Sequence, residues 1–169
     1  SAASDVYKRQ PKLPDTTNKE TNKPDIPTPK LEIKPEIVIV KTKETLSALM
    51  ETLSTKYVIA LWVDTRSPKN ALPFITLATH DSKVWYVPLD SGIEPMSELR
   101  SILEDPTLPK VVYNANATTI AIQRSGSSIR GIIADVMIGS HLANRPYATL
   151  EAIAMDYLGE EILLPKQFS

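Results

Sequence analysis

The sequence contains no cysteine, and this absence excludes several kinds of site. Without thiols there is no disulfide, no thiolate zinc centre and no cysteine nucleophile. Neither sign of charge dominates either, because 19 Lys and Arg residues are balanced by 20 Asp and Glu residues, which leaves a net charge of −1. Composition therefore gives no sign of the strong positive field that is typical of nucleic-acid-binding domains.

Long apolar runs are also missing. The longest, residues 57–63, is far shorter than the ~20 residues that cross a bilayer. No segment with a basic start and an apolar centre opens the chain as a signal peptide would. With 42% hydrophobic and 23% charged residues, the 169 residues have the composition of one globular domain. We expect a cytoplasmic protein that makes no contact with a membrane.

Residues 1–10 (SAASDVYKRQ) match a sequence that a laboratory procedure would introduce. They are what the DNA string TCGGCAGCGTCAGATGTGTATAAGAGACAG encodes, and that string is similar to the end of a transposase adapter used to prepare sequencing libraries. We therefore interpret these residues as a sequencing-adapter artefact and leave them out of the fold. The natural protein is expected to extend further upstream.

Residues 11–36 are rich in proline, threonine, lysine and asparagine and show no apolar periodicity. Such a segment cannot bury enough apolar surface to offset the entropy lost on ordering. Its prolines favour extended polyproline II geometry. We predict a disordered, proline-rich inter-domain linker. A proline-rich docking motif is the alternative, but no aromatic or arginine anchor flanks the prolines.

Residues 37–169 carry the periodicity of one α/β domain. Two of the predicted strands, 74–79 and 83–88, are separated by a short polar turn and predict an antiparallel hairpin. The continuous apolar run at 57–63 predicts a central strand that is buried on both faces. Asp135 is well placed to cap the helix that follows it. The other predicted strands are 37–40, 110–113 and 131–134, and the predicted helices are centred on 46–53, 96–103, 115–123, 137–142 and 150–158.

This order of elements predicts a ribonuclease H-like mixed sheet, with an antiparallel meander plus parallel strands and with helices on its faces. In open α/β sheets, functional groups gather at the carboxyl ends of the strands. Asp64 and Asn114 follow predicted strands directly. They are therefore the first candidates for a site.

Five segments in the same order resemble the 3′–5′ exonuclease domain of bacterial family A DNA polymerases, the DNA polymerase I type. The first is similar to the strand end that reads Phe-Asp-Thr-Glu-Thr in that family, and the third to its Lys-Val-Gly-Gln-Asn-Leu-Lys-Tyr-Asp. The five segments are 62–67 (WVDTRS), 84–89 (VWYVPL), 110–114 (KVVYN), 129–137 (IRGIIADVM) and 152–159 (AIAMDYLG).

The resemblance implies a larger parent protein. That parent would be a DNA-directed DNA polymerase that binds DNA, uses Mg²⁺ and works as a monomer. A 5′ nuclease domain would precede the linker and a polymerase domain would follow, so the exonuclease-like domain of residues 37–169 is expected to be truncated at its C-terminus.

The residues that correspond to the metal site of this family have largely changed. Active members hold two divalent metals with carboxylates from separate motifs. Where the first motif needs Asp-x-Glu, this sequence has Asp64-Thr65-Arg66, and the carboxylate of the second motif is replaced by Thr118. A third motif should lie beyond Ser169. Of these ligands only Asp64 remains as a metal candidate, and its simpler role is to pair with Arg66 or to cap a turn at the strand end.

We therefore predict that the chain has no cofactor of its own and serves as a catalytically silent scaffold in DNA replication and repair. Two alternatives stay open. One is an active metal-dependent exonuclease with a rearranged ligand set, and the other is a non-enzymatic interaction module of the same fold.

Overall fold

The computed structural model describes residues 35–55, 58–65, 72–143 and 149–159. The predicted adapter segment and nearly all of the predicted linker lie outside these ranges. The elements of the described residues are β1 (Glu36–Ile39), α1 (Lys43–Ser54), β2 (Ile59–Val63), β3 (Phe74–Ala78), β4 (Lys83–Pro88), α2 (Pro95–Leu103), β5 (Lys110–Val112), α3 (Ala115–Arg124), β6 (Ile132–Asp135), α4 (Val136–Leu142) and α5 (Leu150–Leu158).

The six strands form one mixed sheet in the order β1-β4-β3-β2-β5-β6. The pairs β2–β3 and β3–β4 are antiparallel, which confirms the predicted hairpin and meander. The pairs β1–β4, β2–β5 and β5–β6 are parallel, as crossover helices between their strands require. The ribonuclease H-like fold class predicted from the sequence is thereby confirmed.

Local sequence determines where the helices begin and end. Thr42 starts α1 with a capping box, in which Thr42 Oγ1 accepts from the Thr45 amide at 3.3 Å and Thr45 Oγ1 accepts from the Thr42 amide at 3.1 Å. Thr149 starts α5 by accepting from the amide of Ala152. Gly159 ends α5 in the left-handed region with φ +69°, the conformation that glycine adopts at least cost.

The core lies between one face of the sheet and the helices α1, α2 and α3. The three crossovers β1-α1-β2, β4-α2-β5 and β5-α3-β6 all run in the same direction across the sheet, so right-handed connections place their helices on one face. Apolar residues of the helices meet every second residue of the strands there. The fully buried members include Leu49, Leu53, Leu99, Leu103 and Ile122 from the helices and Ile59, Ile75, Leu77 and Val87 from the strands.

The prediction for residues 57–63 is confirmed in part. β2 is a central strand, with β3 on one side and β5 on the other, and Ile59 and Leu61 are buried. The prediction that the strand is buried on both faces is wrong, because Ala60 is exposed and Trp62 only half-buried. The physical reason is that the three crossover helices lie on the same face. On the other face Trp62 lies against Phe74, with ring centroids 5.6 Å apart.

Truncation of Leu61 to alanine is expected to lower the free energy of unfolding by about 2–5 kcal/mol, because it opens a cavity in the core between the sheet and the helices. Leu61 is 2% exposed and lies beside Leu77 and Val112 in the sheet register. Leu142→Ala is the matched control, since Leu142 is 81% exposed and should cost almost nothing. Chemical denaturation of both variants checks the expectation, and equal losses would contradict the assignment of the core.

None of the helices in the described ranges is long and apolar enough to cross a membrane.

Candidate metal centre

The candidate centre lies where β2 and β5 end side by side. The two strands are parallel, with Ile59 opposite Lys110 and Leu61 opposite Val112. Asp64 follows β2 directly, and Asn114 lies two residues beyond β5. The structure therefore places both sequence candidates at the same edge of the sheet.

Asn114 shapes the turn from β5 into α3. Its backbone adopts the left-handed conformation (φ 58°, ψ 75°), which asparagine tolerates better than most residues do. Its side-chain Oδ1 accepts from the amide of Ala117 at 3.1 Å and so caps α3. The side chain of Asn114 therefore satisfies a backbone amide of α3.

Asp135 does more than the cap predicted for it. As predicted, its Oδ1 accepts from the amide of Met137 at 2.9 Å and caps α4. The same oxygen also accepts from the amide of Asn114 at 3.0 Å, and its Oδ2 accepts from the amide of Ala115 at 2.7 Å. One carboxylate thus joins the end of β6 to the start of α3. Sequence reasoning missed these two bonds because they join residues 20 and 21 positions apart.

Thr118 on α3 is the residue that the sequence resemblance predicts in place of a carboxylate of the second motif. Its side chain is 1% exposed. The hydroxyl donates to the carbonyl oxygen of Tyr113 at 3.2 Å, and the Thr118 amide donates to the carbonyl oxygen of Asn114 at 3.0 Å. A neutral, buried hydroxyl that already donates to the chain just before α3 brings no negative charge to the centre.

Asp64 is half-buried at the end of β2. Arg66 lies outside the described residues, so the ion pair between Asp64 and Arg66 stays a prediction. The surroundings of the strand ends are acidic nonetheless. Burial raises the pKa of Tyr113, and the negative charges of Glu151 and Asp135 raise it further. The phenol of Tyr113 therefore stays protonated and neutral at physiological pH.

The described residues of the candidate centre do not by themselves fit a two-metal site. Hard divalent cations need several oxygen ligands at close range. Among the residues that the structure describes, no three His, Cys, Asp or Glu side chains come together in a way that could hold a metal ion. Both oxygens of Asp135 already accept backbone hydrogen bonds, and Thr118 is uncharged.

Comparison with solved structures agrees with the fold. The POL domain of Pol1 from M. smegmatis, in complex with DNA primer-template and dNTP, matches 75% of this chain and 23% of its own, with 22% identity and a TM-score of 0.60. RNase D from Escherichia coli, an exoribonuclease involved in structured RNA processing, matches 75% of this chain and 34% of its own, with 18% identity and a TM-score of 0.63. The catalytic core of RRP6 from Trypanosoma brucei matches 80% of this chain and 38% of its own, with 18% identity and a TM-score of 0.66.

At these identities the structural matches show the fold alone, and the chain spans less than two fifths of the length of each of these proteins. No curated protein matches the sequence. Residues 68–164, more than half of the chain, match the family described as DNA polymerase I, ribonuclease H-like domain. The resemblance noted in the sequence is confirmed, and the chain belongs to this family as a 3′–5′ exonuclease-like domain.

Proposed function

We propose that this domain is catalytically silent and acts as a structural scaffold within a larger DNA polymerase of the DNA polymerase I type. The parent would be a cytoplasmic, monomeric enzyme of replication and repair that extends a primer with deoxynucleotides and Mg²⁺. A 5′ nuclease domain upstream and a polymerase domain downstream would be its neighbours in the same polypeptide. DNA would be bound through that parent.

The observation that carries the proposal is that the hydroxyl of Thr118 is buried and already hydrogen-bonded. Two metal ions and a scissile phosphate can share a site because carboxylates balance the cationic charge. At Thr118 the structure has a buried neutral hydroxyl that donates to the carbonyl of Tyr113. The sequence adds Arg66, a fixed positive charge, where the first motif needs a glutamate. With these two changes, Asp64 is the one carboxylate left from the first two motifs.

Titration with Mn²⁺, followed by calorimetry, tests the loss of the metal site on a domain extended past Ser169 to include the third motif expected there. We expect no saturable binding that distinguishes the wild type from Asp64→Ala, because Arg66 and Thr118 stand where two of the carboxylate ligands would be needed. Glu51→Ala, which removes an exposed carboxylate on α1, is the control for nonspecific association with acidic side chains. Saturable binding that Asp64→Ala abolishes and Glu51→Ala preserves would favour the active exonuclease with rearranged ligands.

A further inference from the structure

Three exposed arginines lie at the edge of the sheet opposite the candidate metal centre. Arg100 is in the last turn of α2, Arg124 is in the last turn of α3, and Arg130 precedes β6 by two residues. The helices α2 and α3 run back from the carboxyl ends of β4 and β5 to the amino ends of β5 and β6. The three residues, named the arginine cluster below, therefore share the amino edge of these strands.

Hydrogen bonds between α2 and the segment that joins α3 to β6 keep the backbone of the cluster in place. Nη2 of Arg100 donates to the carbonyl oxygen of Gly126 at 3.0 Å. The backbone amide of Arg130 donates to the carbonyl oxygen of Leu103 at 2.9 Å. The segment that carries Arg130 is thus fixed against the end of α2, so the cluster is one surface built from three parts of the chain.

Positive charge is in excess at this surface. Two carboxylates lie in the same region, those of Glu104 and Asp105. Glu104 already accepts from a backbone amide of the segment between α3 and β6, and the ammonium of the buried Lys110 offsets the charge of Asp105. Within the described ranges, neither the Arg124 nor the Arg130 side chain has an ion-pair partner.

The chemistry of the cluster favours a polyanion over a small anion. Guanidinium groups bind phosphate through paired N–H donors. Because all three side chains are exposed, a single small anion would gain little by leaving water, whereas a polyanion releases counterions at every contact. Interaction with the helix dipole is a simpler role for Arg100 and Arg124, but it does not explain Arg130, which lies on no helix.

We propose that the arginine cluster binds the phosphate backbone of duplex DNA without reading its sequence. The length of α3, about 15 Å for its ten residues, separates the cluster from the candidate metal centre, so this is a second site. That the polyanion is DNA rests on the proposed function, in which the parent polymerase brings a primer-template to this domain.

Fluorescence anisotropy of a short labelled duplex, measured with the full chain over a range of salt concentrations and without divalent metal, tests the proposal. Arg124→Ala with Arg130→Ala should weaken binding and reduce the slope of log K against log salt by about 2, because each phosphate contact contributes about one. Lys41→Ala with Lys43→Ala is the matched control, since it removes the same charge from exposed lysines at the carboxyl edge of the sheet. Its slope should equal that of the wild type.

Equal losses in the two double variants would overturn the proposal, because net charge alone would then explain the binding. Absence of salt-dependent binding by the wild type would overturn it as well. Arg124→Lys with Arg130→Lys keeps both charges and should retain the slope, so a loss there would point to damaged structure and contradict the assignment of phosphate contacts to these positions.

A lipid surface is the other source of phosphate groups. Binding to vesicles that contain phosphatidylserine, lost in Arg124→Ala with Arg130→Ala while DNA binding is unchanged, would assign the cluster to a membrane and overturn the proposal. The assay contains no divalent metal, and none of these variants alters the candidate metal centre. A negative result therefore overturns this inference and leaves the proposed loss of catalysis standing.

Discussion

Replacement of Asp135 with alanine is expected to lower the free energy of unfolding by about 3–5 kcal/mol, since hydrogen bonds to a charged acceptor contribute about 1.5–3 kcal/mol each and neighbouring bonds do not add fully. The side chain accepts from three backbone amides, those of Asn114, Ala115 and Met137, at 2.7–3.0 Å. In the alanine variant, these three half-buried amides lose the carboxylate that accepts their hydrogen bonds. The starts of α3 and α4 should loosen together.

Two further variants separate this effect from the loss of an ordinary helix cap. Asp135→Asn keeps one acceptor oxygen and should fall between the wild type and Asp135→Ala. Thr149→Ala removes a single cap from α5 and should cost about 0.5–2 kcal/mol. Urea denaturation of the three variants measures the series. If Asp135→Ala costs no more than Thr149→Ala, the carboxylate does not join β6 to α3 as described.

Gly131→Ala is expected to cost about 2–5 kcal/mol, of which about 1–2 kcal/mol comes from the left-handed backbone and the remainder from steric overlap. Gly131 has φ +72°, and a Cβ there would lie 2.8 Å from the carbonyl oxygen of Leu108 and 3.2 Å from that of Asp105. These two carbonyls cannot move away easily, because Nζ of the buried Lys110 donates to both at 2.8 Å. The Gly131 carbonyl in turn accepts from the Lys110 amide.

Gly92→Ala provides the matched control for the steric part. Gly92 has a similar φ of +77°, but an added Cβ would meet no atom within 4 Å. Its replacement should cost only the backbone term of about 1–2 kcal/mol. Thermal unfolding of the two variants should show a clearly larger drop in Tm for Gly131→Ala. Equal drops would mean that the loop of residues 105–108 yields to the new methyl group.

The sequence predicted the fold well wherever periodicity and caps carried the information. The apolar periodicity of residues 46–53 predicted α1, and Leu46, Leu49 and Leu53 on this helix are buried. The polar turn between residues 79 and 83 predicted the β3–β4 hairpin, and the predicted helix at 150–158 is α5. These features are local, so a single sequence contains them in full.

The failures concern contacts between distant segments. The apolar run of β2 suggested burial on both faces, yet Ala60 is exposed, because the side on which a helix packs depends on the direction of the crossovers. The two bonds from Asp135 to the start of α3, and the burial of Lys110 beneath the loop of residues 105–108, depend on register between strands. No local pattern carries this information.

The candidate centre was predicted through family resemblance more than through pattern. Strand ends identified Asp64 and Asn114, but only the resemblance directed attention to Thr118 as the position of a missing carboxylate. The structure adds that this hydroxyl is buried and donates to Tyr113, which no spacing rule would show. Arg66 lies outside the described residues, so its pairing with Asp64 still awaits a test.

We expect that this domain does not cleave DNA, and the most direct measurement is an assay for digestion of single-stranded DNA from its 3′ end. The assay should use the full-length polymerase proposed as parent, with 5′-labelled single-stranded DNA and Mg²⁺ or Mn²⁺ but no deoxynucleotides. The wild type should shorten the DNA no more than an Asp64→Ala variant of the same protein does. Progressive 3′ shortening by the wild type that Asp64→Ala abolishes would contradict this expectation.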